Sequence, residues 1–184
     1  MQFIIDLWLP ILAATVAMFF ASFLVWAVLP HHKPDWGRLP DEDPVLEAMR
    51  GKDIPAGQYM FPYCASMQEM AEEEMKAKWD KGPTGFLYVR PKGPPNMGQN
   101  MGIMVAYQLI VNVFIAYIAS VAVAPGADFM AVFRFVGTVG VLAHCAAGIP
   151  HAVWFARSFS STAKEVLDGV AYGIVTGLIF AALW

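Results

Sequence analysis

The residues of this chain that can ligate a metal are four histidines, two cysteines and eleven methionines. His31 and His32 are adjacent, while His144 and His151 lie far along the chain. Imidazole suits copper, zinc or haem iron, and thiolate and thioether sulfur suit Cu(I). Cys64-x-x-Met67-x-x-Met70 offers sulfur at short spacing but follows no established ligand pattern. Met67 and Met70 fit equally well on the apolar stripe of a helix, with Ala71, Met75 and Trp79. His144 and His151 share a helix face, yet about 10 Å along the axis is too far for one ion. A haem or metal held between two helices needs a histidine on each. His31 or His32, closing one apolar run, facing His151, closing another, is the pair that meets this need. The expected ligand set is therefore His31, His32 and His151, with Cys64 and Met67 as a sulfur alternative.

A second group of residues is polar within apolar surroundings. Gln108 and Asn112 are one helical turn apart on one face, and amides in hydrocarbon are unfavourable unless paired. They are expected to point into a bundle. The ionisable residues within apolar runs are His144, Asp168 near the cytoplasmic end of its run, and Arg134 near the outer end of another. Intramembrane ionisable groups are functional candidates, but no chain of acids crosses the molecule to carry protons. Asp168 lies where Arg157 or Lys164 can pair with it. Nucleophilic catalysis has no support, because Cys64 has no base near it in sequence and no nucleophile elbow, phosphate loop or dinucleotide fingerprint occurs.

Four long apolar runs must position these residues, at about 7–29, 101–124, 129–149 and 165–184. Each has about the length that a membrane-spanning helix requires. In the first, Trp8 and Trp26 stand about 27 Å apart on a helix, matching the two interfacial levels that tryptophan prefers. The head of the chain carries Asp6 and no Lys or Arg, unlike a cleaved signal peptide, so this run is expected to be retained. In the last run Gly169, Gly173, Gly177 and Ala181 recur every four residues and form a groove on one helix face, beside a polar stripe of Asp168, Tyr172 and Thr176. Gly137 and Gly140 line one side of the third run with His144. Pro150 is expected to end that run.

Between the first and second runs, residues 31–100 are polar and rich in Pro and Gly. Short helices are expected at about 44–50, with Asp43 as cap, and at 66–81, opened by the Ser66-Met67-Gln68-Glu69 capping box. Phe86-Leu87-Tyr88-Val89 reads as a short strand or an extended connector.

Only 15% of the residues are charged, against about a quarter in soluble domains, and the net charge is −3. The first argues for lipid as the solvent, and the second against a nucleic-acid partner. Lys33, Arg38, Arg90, Lys92, Arg157 and Lys164 flank the runs on one side, which the positive-inside rule assigns to the cytoplasm. The expected protein is an all-α bacterial inner-membrane protein. It has four transmembrane helices (1–30 and 101–184), periplasmic termini and a small structured cytoplasmic insertion at 31–100. Its expected partners are membrane lipids and other membrane subunits or a second copy. The packing grooves favour a non-catalytic structural or accessory subunit of a homo-oligomer or larger complex. Metal handling through the His, Cys and Met residues is the alternative. An oligomeric lipid or small-solute transporter, with Gln108, Asn112 and Asp168 along its path, is a further one.

Overall fold

The computed structural model describes residues 2–184. The chain opens with α1 (Gln2–Asp6) and α2 (Trp8–Phe23), which runs into a wider π turn at Leu24–Val28 and then a 3-10 turn at Pro30–Asp35. Next come α3 (Glu42–Gly51), β1 (Gly57–Phe61), α4 (Met67–Met70), α5 (Glu73–Lys81) and β2 (Gly85–Val89). The remainder is α6 (Met97–Ala122), α7 (Phe129–Cys145), α8 (Gly148–Trp154) and α9 (Phe159–Leu183). Four stretches are long and apolar enough to cross a membrane: Trp8–Val28, Met97–Ala122, Phe129–Trp154 and Phe159–Leu183.

The chain divides into two compact units, residues Met1–Trp36 with Pro95–Trp184, and residues Gly37–Pro94. The smaller unit requires an amendment to a purely helical class, because β1 and β2 pair antiparallel with Tyr59 opposite Leu87. The stretch 66–81 forms two helices, α4 and α5, rather than one. Ser66 caps α4, its hydroxyl accepting from the Glu69 N–H. Met75 is the side chain this unit buries most completely.

In the larger unit, α9 packs most extensively on α7, and α2 packs on both α6 and α9. Ile11, Ala14, Ile115, Ala119, Val136 and Phe180 belong to one buried cluster. Around it, bulky apolar side chains such as Val121, Leu167, Phe114 and Ile110 remain exposed, as expected of helices whose outer faces meet lipid rather than water. The third span breaks at Ala146–Ala147 and resumes as α8, which contains Pro150. Proline does not end this span because it falls within the first turn of α8, where its missing N–H leaves no hydrogen bond unmade.

The glycine groove of α9 is filled by α7. A methyl group on Gly173 would stand 2.6 Å from the Val141 nitrogen, and one on Gly177 would stand 2.9 Å from the Gly137 Cα. A methyl on Gly140 would meet the Gly173 Cα at 3.0 Å. Ala181 packs at the edge of the main core. Two backbones therefore touch along several turns, and the contact is within one chain. Gly173→Ala is expected to lower stability by about 1–3 kcal/mol through this overpacking. Gly102 has open space around it, so Gly102→Ala is expected to be neutral or stabilising by up to about 1 kcal/mol. Thermal unfolding of both variants in detergent compares the two; equal midpoints would contradict the close α7–α9 approach.

Candidate metal centre

The 3-10 turn Pro30–Asp35 brings the adjacent histidines back onto α9. Three residues make one turn of such a helix, so side chains at i and i+3 eclipse. His32 and Asp35 are therefore neighbours, and the His32 Nδ1 lies 2.7 Å from Asp35 Oδ2. On α9, Lys164 and Asp168 are one turn apart and share a face. His32 Nε2 lies 2.7 Å from Asp168 Oδ2, and His31 Nε2 lies 3.2 Å from Asp168 Oδ1. Lys164 donates to the Asp35 carboxylate and, at 2.8 Å, to the His31 carbonyl. Trp26, carried by the π turn, lies flat on the His32 ring at 3.9 Å between centroids and 2° between planes. His32 is buried, with only 4% of its side chain exposed, whereas His31 keeps 33%.

Both His32 nitrogens face carboxylates, which accept and do not donate. Without a metal, this arrangement favours the imidazolium form of His32, which can donate from both nitrogens while resting on the Trp26 face. Burial acts against this charge. The hydrogen bonds to Asp35 and Asp168 and their negative charges outweigh it and raise His32 above its ordinary 6.5. Hydrogen bonds from Lys164 first, and from His32, lower the Asp35 carboxyl from its ordinary 3.8 to about 2.

The ligand atoms of His31, His32 and Asp168 all lie within 4.8 Å of one another. Two imidazoles and a carboxylate form a donor set suited to zinc or ferrous iron, with coordination positions left open. Asp35 stands behind His32 on the other ring nitrogen. A carboxylate in that place fixes the tautomer of a ligating histidine and raises its basicity. Asp35 itself is held by Lys164.

The remaining expected site residues take other places. His151 is exposed on α8, beside the Phe155 ring, and lines a separate pocket of about 250 Å³ with His144, Cys145 and Arg157. Cys64 and Met67 belong to the smaller unit, where the Cys64 thiol donates to the Ser66 carbonyl and Met67 is exposed. Arg157 pairs with Glu165, not with Asp168. Asn112 is wholly buried, donating to the Gln108 carbonyl at 2.9 Å and toward the Thr15 hydroxyl at 3.4 Å. Gln108, His144 and Asp168 line one cavity of about 700 Å³ in the bundle. The sequence marks Trp26 as an interfacial tryptophan and leaves Asp35 unmarked; the His32-x-x-Asp35 spacing is the available signal, and it becomes a contact only in a 3-10 turn.

Comparison with protein families, curated proteins and solved structures finds no match to this chain.

The cluster ties the end of the first span to the last, and its strength follows pH. His32 is raised in the folded protein, so its contribution is full below 6.5 and is lost as pH rises through the higher folded value. Asp35 is depressed, so its contribution is full above 3.8 and is lost as pH falls toward about 2. With EDTA present, the thermal midpoint is expected to be greatest between these limits and to fall on both sides. Asp35→Asn is expected to flatten the acid limb. An acid limb as steep in Asp35→Asn as in the native chain would contradict the role of Asp35.

Proposed function

We propose that this is a small integral membrane protein that handles a divalent transition-metal ion, zinc or ferrous iron, at His31, His32 and Asp168. The observation that carries the reading is the convergence of three ligand side chains from two distant parts of the chain, with the Asp35–Lys164 pair behind His32. Cu(I) suits the site less, because the ligand group is two imidazoles and a carboxylate with no cysteine among the described residues. Haem suits it less as well. His31 and His32 turn to the same carboxylate, whereas opposed histidines would flank a macrocycle. The accessory-subunit reading rests on packing grooves together with scarce chemistry; the α9 groove packs on α7 of the same chain, and the cluster at His31, His32 and Asp168 supplies ligand chemistry.

The charge pattern supports a bacterial inner-membrane location with residues 31–100 in the cytoplasm and both termini periplasmic. The metal cluster then lies at the cytoplasmic ends of the first and last spans. Lipid is the immediate partner of the exposed apolar faces.

Protein purified with added Zn²⁺ or Fe²⁺ is expected to carry about one ion per chain, measured by elemental analysis. His32→Ala and Asp168→Asn are expected to lose it, and His151→Ala to keep it. Asp35→Asn is expected to weaken affinity by about 10–100-fold. Absence of metal from the native chain under both supplements would leave a closed ion-pair cluster and overturn the proposal. Orientation is read separately, in a Cys145→Ser background. A membrane-impermeant maleimide is expected to reach Cys64 in inverted vesicles and not in intact spheroplasts; the reverse pattern would place the insertion outside.

A further inference from the structure

We propose that the large cavity beside the histidine cluster binds the ring of a membrane-soluble quinol. The cavity, about 700 Å³, lies among α2, α6, α7 and α9 and has mainly apolar walls. Its size is within the range of small-molecule sites. Phe19, Phe23 and Trp26 supply aromatic surface, and Met101 and Met104 supply adaptable side chains that fit themselves to a flat ligand.

Three polar residues line the same cavity and are incompletely satisfied. Gln108 Oε1, His144 Nε2 and the Tyr172 hydroxyl are buried and have no hydrogen-bond partner among the described residues. Gln108 is only 2% exposed, so its orphan carbonyl carries the cost of a lost hydrogen bond. His144 and Tyr172 meet edge to face with 5.7 Å between ring centroids, so their unpartnered atoms belong to one pair of side chains.

The chemistry selects the occupant. Gln108 Oε1 requires a donor, while the Tyr172 hydroxyl and the His144 nitrogen can each donate or accept a hydrogen bond. Acyl chains offer no donor. A polar solute has no favourable route through hydrocarbon to a mainly apolar cavity. A quinol joins two hydroxyl groups to a flat ring and an apolar tail, matching orphan acceptors, aromatic walls and surrounding lipid together. The proposal concerns binding alone and stands whether or not an ion occupies His31, His32 and Asp168.

The test uses the full chain in detergent micelles with EDTA, so that metal plays no part. Decylbenzoquinol, kept reduced under argon, is titrated against tryptophan fluorescence beside its dimethyl ether and decanol. The quinol is expected to bind about tenfold tighter than the ether, the ratio one well-made hydrogen bond supplies. It is also expected to bind tighter than decanol. Gln108→Leu is expected to bring the quinol-to-ether ratio below about threefold without lowering the thermal midpoint. Tyr172→Phe keeps the ring and reads the same ratio should Gln108→Leu prove unstable. Equal binding of quinol and ether would show a cavity filled by any apolar chain and overturn the proposal. Decanol binding as tightly as the quinol, or both variants keeping the native ratio, would overturn it too.

Discussion

A carboxylate inside an apolar helix must find partners, and Asp168 is that carboxylate. It lies nine residues into the span that begins at Phe159, roughly 13 Å along the axis. Lys164 and Glu165 precede it, so it stands near the end of the apolar run, where a carboxylate turned toward the bundle still needs partners. The chain meets this with two imidazoles from the connector that leaves the first span. The connector must therefore fold back over α9, and the 3-10 turn with Pro30 at its start performs the reversal. Lys164 reinforces it from one turn away, binding both Asp35 and the His31 backbone. The first and last spans are thus tied by charge at one end, while apolar packing holds the frame elsewhere.

The same turn of α9 also makes a close helix contact. Gly169 follows Asp168, and a methyl there would sit 2.7 Å from the Cys145 sulfur and 3.2 Å from the His144 carbonyl. Close packing and charge pairing act on neighbouring residues of one helix. Association of helices in lipid gains little from the hydrophobic effect and relies on such contacts. The four-residue glycine spacing gives α9 a narrow face for α7, and the rest of its circumference is left for lipid, α2 and the cluster.

Much of this frame was legible in the residues. Apolar run length announces a span directly, since the bilayer sets the length and a helix is the simplest way to satisfy its backbone. The runs at 7–29 and 101–124 correspond to helices Trp8–Val28 and Met97–Ala122. The groove at Gly169, Gly173 and Gly177 was visible from spacing, but spacing is silent on whether the neighbour is the same chain or another. Pro150 misled because proline stops one helix and opens the next with equal ease. The strand β1 was missed because Gly57–Phe61 is short and its partner is 24 residues or more away in sequence. The site was the least legible part. Asp168 and His32 are 136 residues apart, and no periodicity reports which connector folds onto which helix face.

Asp168 lines the cavity and also anchors the histidines, so the two proposed sites share a residue. Its two oxygens turn to His31 and His32. A divalent ion among these groups would draw electron density from the carboxylate and weaken it as an acceptor toward anything in the cavity. A ligand donating to the carboxylate would in turn weaken its hold on the ion. Such coupling is reciprocal by thermodynamic necessity. Gln108, His144 and Tyr172 do not belong to the ligand group, so binding at those three residues need not depend on the ion. Trp26, which lies on the His32 ring and also lines the cavity, is the second side chain through which the two sites meet, while Gly169 beside Asp168 packs closely on α7.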